Sequence, residues 1–189
     1  RVLLKDQRDM NLPCLCFFTL KQKNFKVPTR EGFQKLSTTI EGRYFQDCAD
    51  NMTEDEIAAL PEKNKPSMVV IQDFDEFLRR LKKELVKRGL NEDQIIVRHI
   101  SYTDFSMFGT DTEWMDFNRS VPEELFVKSE EFSYQNELRI LINTDDPNQL
   151  KMFEDTIDIG NLADIASETE GYHKEGIIVE CKVNICFTE

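Results

Sequence analysis

The stretch "SMVVIQDFDEFLRRLKKELVKRGLNEDQIIVRHISY" (Ser67–Tyr102) decides the fold class. Its first six residues form a short run around the β-branched Val69, Val70 and Ile71, which predicts a strand. Asp73 then stands where a helix N-cap belongs, with Glu76 three positions on as the reciprocal residue of a capping box. Phe74, Phe77, Leu78, Leu81 and Leu85 recur at helical spacing and make one apolar stripe. Lys87 and Arg88 suit the negative end of the helix dipole, and Gly89 supplies the stop. "QIIVRHISY" returns to a strand. Strand, helix and strand therefore follow within the length of a crossover unit.

Outward from this unit, the pattern stays mixed. "LPCLCFFTL" (Leu12–Leu20) is a nearly continuous apolar run, expected to be a strand buried on both faces. From Thr29 to Asp47, Phe33, Leu36, Ile40 and Tyr44 fall at helical spacing. Thr53 with Glu56 is a second capping-box pattern, inside a polar segment punctuated by Pro61 and Pro66. "DTIDIG" reads as a short strand and "NLADIAS" as a helical patch. In "GIIVECKVNICF", Ile177, Val179, Cys181 and Val183 alternate onto one face of a final strand. The segment after Tyr102 is a long connection bearing Asp104, Asp111, Glu113 and Asp116. These acids lack the Gly and terminal Glu of a calcium loop, so a solvated loop is expected and no metal site is predicted. The sum is a single α+β domain over residues 1–189, with a mixed, mostly antiparallel sheet and a few packed helices. The chain opens at Arg1, so a preceding segment is expected to be missing.

Composition narrows the function classes. There are 36 acidic and 24 basic side chains, for a net charge of −12. Phosphate backbones are repelled by such a chain, so direct nucleic-acid binding is not expected. A basic protein partner, or mimicry of nucleic acid, is compatible with it. No apolar window reaches membrane-spanning length and no signal peptide is read, which predicts a cytoplasmic protein without membrane contact. The five cysteines, Cys14, Cys16, Cys48, Cys181 and Cys186, are odd in number and lack zinc spacing, so buried free thiols are expected. His99 on its strand and His173 in its loop have no Ser, Cys or Asp at triad spacing. Arg79, Arg80, Lys82 and Lys83 form the basic outer face of the central helix, which is expected to be its solvated side.

One polar cluster stands out, in "ELFVKSEEFSYQNELRILINTD" (Glu124–Asp145). If Ser133–Ile142 is extended, Glu137 and Arg139 share one strand face, and Leu138, Ile140 and Ile142 take the other. Lys128 closes the preceding strand and faces them if the two strands form a hairpin. A carboxylate and a guanidinium two apart on one face either pair with each other or converge on a ligand. On the functional reading Glu137 is a catalytic base or orienting group, and Lys128, Tyr134 and Arg139 bind a nucleotide or small anion. On the structural reading Glu137 and Arg139 are a half-buried ion pair that fixes strand register.

"FVKSEEFSYQNELRILI" resembles the C-terminal signature of a family of bacterial and phage proteins, a domain of unknown function. That signature is a Lys, an aromatic, then Tyr-(Gln/Glu)-x-Glu-x-Arg ahead of an apolar strand. "DMNLPCLCFFTL", "SMVVIQDFDEFLRRL" and "IDIGNLADIA" occur in the same order in such proteins. Family members begin with a further strand and helix, and carry Trp or Tyr where Phe132 stands. The resemblance implies a bacterial or phage cytosolic protein and brings no activity with it. Separately, "LSTTIEG" (Leu36–Gly42) resembles the Ser-Thr-Ser element of ADP-ribosyltransferase-like folds. That resemblance implies NAD as cofactor, with Ser37 and Thr38 supporting its pocket and Glu137 polarising the ribose. Without it, no cofactor is predicted.

Overall fold

The computed structural model describes residues 12–20, 25, 32–49, 51–105, 123–170 and 173–185. In chain order the described elements are β1 (Cys14–Phe18), β2 (Gly32–Ile40), α1 (Gly42–Cys48), α2 (Glu54–Ala59), β3 (Ser67–Ile71), α3 (Phe74–Lys87), β4 (Ile95–His99) and β5 (Ser101–Thr103). They continue with β6 (Val127–Ser129), β7 (Glu137–Ile142), α4 (Pro147–Lys151), β8 (Ala166–Glu170) and β9 (Ile177–Ile185). The class is α+β with mostly antiparallel sheets. The chain groups into two compact units, each assembled from separate segments. One takes Arg1–Thr19 and Ile71–Ile165, the other Leu20–Val70 and Ala166–Glu189.

The first unit is organised by β7, the middle strand of the sheet β1-β7-β4. Both neighbours are antiparallel to it. Leu138, Ile140, Leu141 and Ile142 are all buried, so the strand has two covered faces. On one side α3 packs Phe77, Leu81 and Leu85 against Ile95, Ile140 and Ile142, with Phe17 and Val97 at the margin. α3 forms as its sequence dictates. Asp73 accepts from the Glu76 N–H at 3.0 Å, and Gly89, at φ +103°, takes a left-handed conformation that a side chain would strain. Glu76 does not close a capping box. Its carboxylate instead pairs with Arg79 at 2.6 Å and Arg80 at 2.7 Å, and Arg80 also reaches Asp164. The outer face of α3 is thus partly ion-paired. On the other side of the sheet, Leu141 joins Ile100 and Phe126 in a smaller core. Phe126 comes from a strap, Glu123–Gln135, of 3-10 turns around the three-residue β6.

The second unit contains two ribbons. β2 pairs antiparallel with β9 along nine residues, and β3 pairs with β8. Ile177 and Val179 are half-buried, while Ile178 and Glu180 are exposed, as alternation requires. α2 carries the complete Thr53–Glu56 capping box.

Several expectations are corrected. Phe33, Leu36 and Ile40 lie on a strand, with only Tyr44 on a helix. The β-branched run Thr38–Ile40 and a nine-residue partner outweigh a helical spacing that three residues can mimic by chance. Ser67–Tyr102 is no crossover unit, because β3 and β4 pair with different strands. β1 is paired on one side only among the described residues, and Cys14, Cys16 and Cys48 are exposed rather than buried. "DTIDIG" forms no strand, and "NLADIAS" forms a turn leading into β8. Asp111, Glu113, Asp116 and Cys186 lie outside the described residues, as do the side chains of Cys181 and Val183.

Candidate functional site

The polar cluster of the first unit is assembled where β7 begins. Asn136, at φ +41°, turns the chain out of the strap through a left-handed conformation that Asn tolerates. Its carbonyl accepts from the Thr19 N–H at 3.0 Å and from the Thr19 hydroxyl at 2.7 Å. β7 therefore starts at Glu137, and Tyr134 and Gln135 belong to the turn before it. β6 does not form a hairpin with β7; it pairs parallel to β5. Lys128 still meets Glu137, because the strap folds back over the sheet.

Glu137 is only 6% exposed. Its Oε1 accepts from Arg139 Nη2 at 2.6 Å and Nε at 2.9 Å, and its Oε2 accepts from Lys128 Nζ at 2.5 Å. Lys128 also donates to Gln135 Oε1 at 2.8 Å. Arg139 Nη1 donates to the Leu125 carbonyl of the strap. The Glu137 N–H donates to the hydroxyl of Tyr102, from β5, at 2.9 Å. Cys16, the cross-strand partner of Arg139, hydrogen-bonds to the same carboxylate. Among the described residues no buried side-chain nitrogen or oxygen lacks a partner.

Electrostatics follow this geometry. Burial pushes the Glu137 carboxyl up, but hydrogen bonds from Lys128 and Cys16 and the charge of Arg139 outweigh it, leaving it below the ordinary carboxylate value. Burial opposes the Arg139 cation, and the charge of Glu137 more than restores it. Although Cys16 as a residue is exposed, its sulfur lies against the buried carboxylate, and its partial desolvation and then the bond to Glu137 push the thiol up to about 12. Tyr102 is raised as well, first by burial.

Lys128, Glu137 and Arg139 are thus brought together as the spacing suggested. Tyr134 is half-buried in the neighbouring turn. Tyr102, Cys16 and the Leu125 carbonyl were not predicted, since β5, β1 and the strap reach the cluster only through tertiary pairing. Ser37 and Thr38 lie on β2, within the second unit. That unit holds an open cleft of about 460 Å³ lined by Gln46, Asn51, Met52, Thr53, Glu54, Asp55 and Lys174. Lys174 pairs with Glu54 there at 3.5 Å. Among the described residues no three His, Cys, Asp or Glu side chains are placed to hold a metal. No described helix is long and apolar enough to cross a membrane. Compared with known proteins, the chain matches no family model, no curated protein and no solved structure.

Proposed function

We propose that the protein is a non-enzymatic acidic interaction domain, that Lys128, Glu137 and Arg139 form a clasp inside it, and that its surface charge meets a basic partner. The pairing of Glu137 carries this reading. A general base needs a free lone pair and a pKa raised toward neutrality. Glu137 has both oxygens engaged by cations and a carboxyl moved the other way. The cluster pairs two cations with one carboxylate, so it contributes nothing to the chain's excess of 12 negative charges. Glu54, Asp55, Glu92, Asp93, Glu130 and Glu131 are among the exposed acids.

Binding of a lysine-rich peptide, titrated at low and high ionic strength, tests the proposal. The expected result is binding that weakens with salt and persists in any Glu137→Gln protein that still folds. No binding even at low salt, together with a nucleotide- or NAD-induced thermal shift that Glu137→Gln abolishes, would replace this reading with a ligand site at Glu137. That second result would favour a nucleotide- or small-anion-handling domain centred on Lys128, Glu137 and Arg139.

A further inference from the structure

Within a chain of net charge −12, the strap and the sheet face beneath it bring together three cations, Arg98, Lys128 and Arg139, and two carboxylates, Glu123 and Glu137. Arg98 and Arg139 are partners in the β4–β7 ladder. Two guanidinium side chains therefore rise from directly opposed positions, which is destabilising unless anions intervene. The two are served unequally. Arg139 is held by Glu137 from its own strand and by the Leu125 carbonyl. Arg98 depends on the strap. Its Nη1 donates to Glu123 Oε1 at 2.6 Å and Oε2 at 2.8 Å, and its guanidinium sits 5.5 Å from the centre of the Phe126 ring.

Both ends of that ion pair are open to solvent, with the Arg98 side chain 43% exposed and Glu123 34%. Such a pair contributes little and exchanges readily. Phe126 is 3% exposed, and the strap is also held by the Leu125 carbonyl on Arg139, by Lys128 on Glu137 and by the β5–β6 pairing, so Glu123 can leave without the strap following. The aromatic ring meanwhile keeps the guanidinium oriented. A planar fork held in this way fits a carboxylate or a phosphate. Once Glu123 has left, Glu137 remains the carboxylate paired with Lys128 and Arg139, and Arg98 gives up its contact with Glu123.

We propose that Arg98 is an anion-binding site whose present occupant is the protein's own Glu123, and that a phosphate or carboxylate group from outside takes the same place. The site is opposite in sign to the net charge of the chain. Inorganic phosphate is the probe, titrated against chloride at matched ionic strength and followed by backbone amide shifts. In the wild type, shifts are expected at Glu123–Phe126 with α3 unmoved. Glu123→Gln, which removes the competitor, should tighten phosphate binding about fivefold. Arg98→Gln should abolish it in both backgrounds, whereas Glu137→Gln should leave it in place. Wild-type shifts elsewhere, no gain in Glu123→Gln, or binding that survives Arg98→Gln would overturn the assignment. The unchanged amide pattern of α3 verifies that each variant is folded.

Discussion

The two faces of β7 are covered in different ways. Toward α3 the contact is apolar and continuous, from Phe77, Leu81 and Leu85 onto Ile140 and Ile142. Toward the strap the apolar patch is small, and the cover is held by paired charges and one backbone carbonyl. An apolar contact is non-directional and tolerates substitutions of similar volume. A buried ion cluster is directional, and it fails when one member is removed, because the remaining charges are stranded. The same strand thus carries a robust face and a brittle one.

The largest expected effect breaks the brittle face. Glu137→Ala leaves Lys128 and Arg139 without their carboxylate and should destabilise the first unit by about 4 kcal/mol in urea unfolding. Leu85→Ala, on the robust face at 1% exposure, should cost about 3 kcal/mol through its cavity. Replacing the whole cluster at once sharpens the contrast. Lys128→Met, Glu137→Leu and Arg139→Met together should lose less than Glu137→Ala alone, because no charge remains unpaired.

Acid probes the same contrast through linkage. The folded Glu137 carboxyl is lowered relative to its unfolded value. Its stabilisation is therefore complete above the ordinary glutamate value of about 4.3 and is lost as pH falls through the lower folded value. The stability gap between wild type and Glu137→Gln should be constant from neutral pH down to about 4.3 and should close as pH falls from there through the lower folded value. Unfolding curves at a series of pH values measure this. The smallest effect belongs to the exposed pair: Glu123→Gln should change stability by less than about 1 kcal/mol.

The same division governs what the sequence revealed. α3 was legible because its signals are local: the Asp73 cap, the Phe77-Leu81-Leu85 stripe and the Gly89 stop all act within one helix. The grouping of Lys128, Glu137 and Arg139 was legible from spacing, although through a hairpin that does not form. What Glu137 touches from elsewhere was not legible. Cys16 arrives through the register of β1 on β7, strands more than a hundred residues apart, and Tyr102 through β5, 35 residues before Glu137, and no local pattern encodes either pairing. β2 shows the opposite failure. Phe33, Leu36 and Ile40 satisfy a helical spacing, but pairing with β9 decides the outcome.

The clasp itself is tested most directly by a double-mutant cycle on Glu137→Gln and Arg139→Met, read by urea unfolding at neutral pH. A coupling of about 2 kcal/mol or more between the two sites is predicted, each single variant losing more than its share of the double. Independent effects that simply add would contradict the clasp and return Glu137 to the list of residues awaiting a ligand.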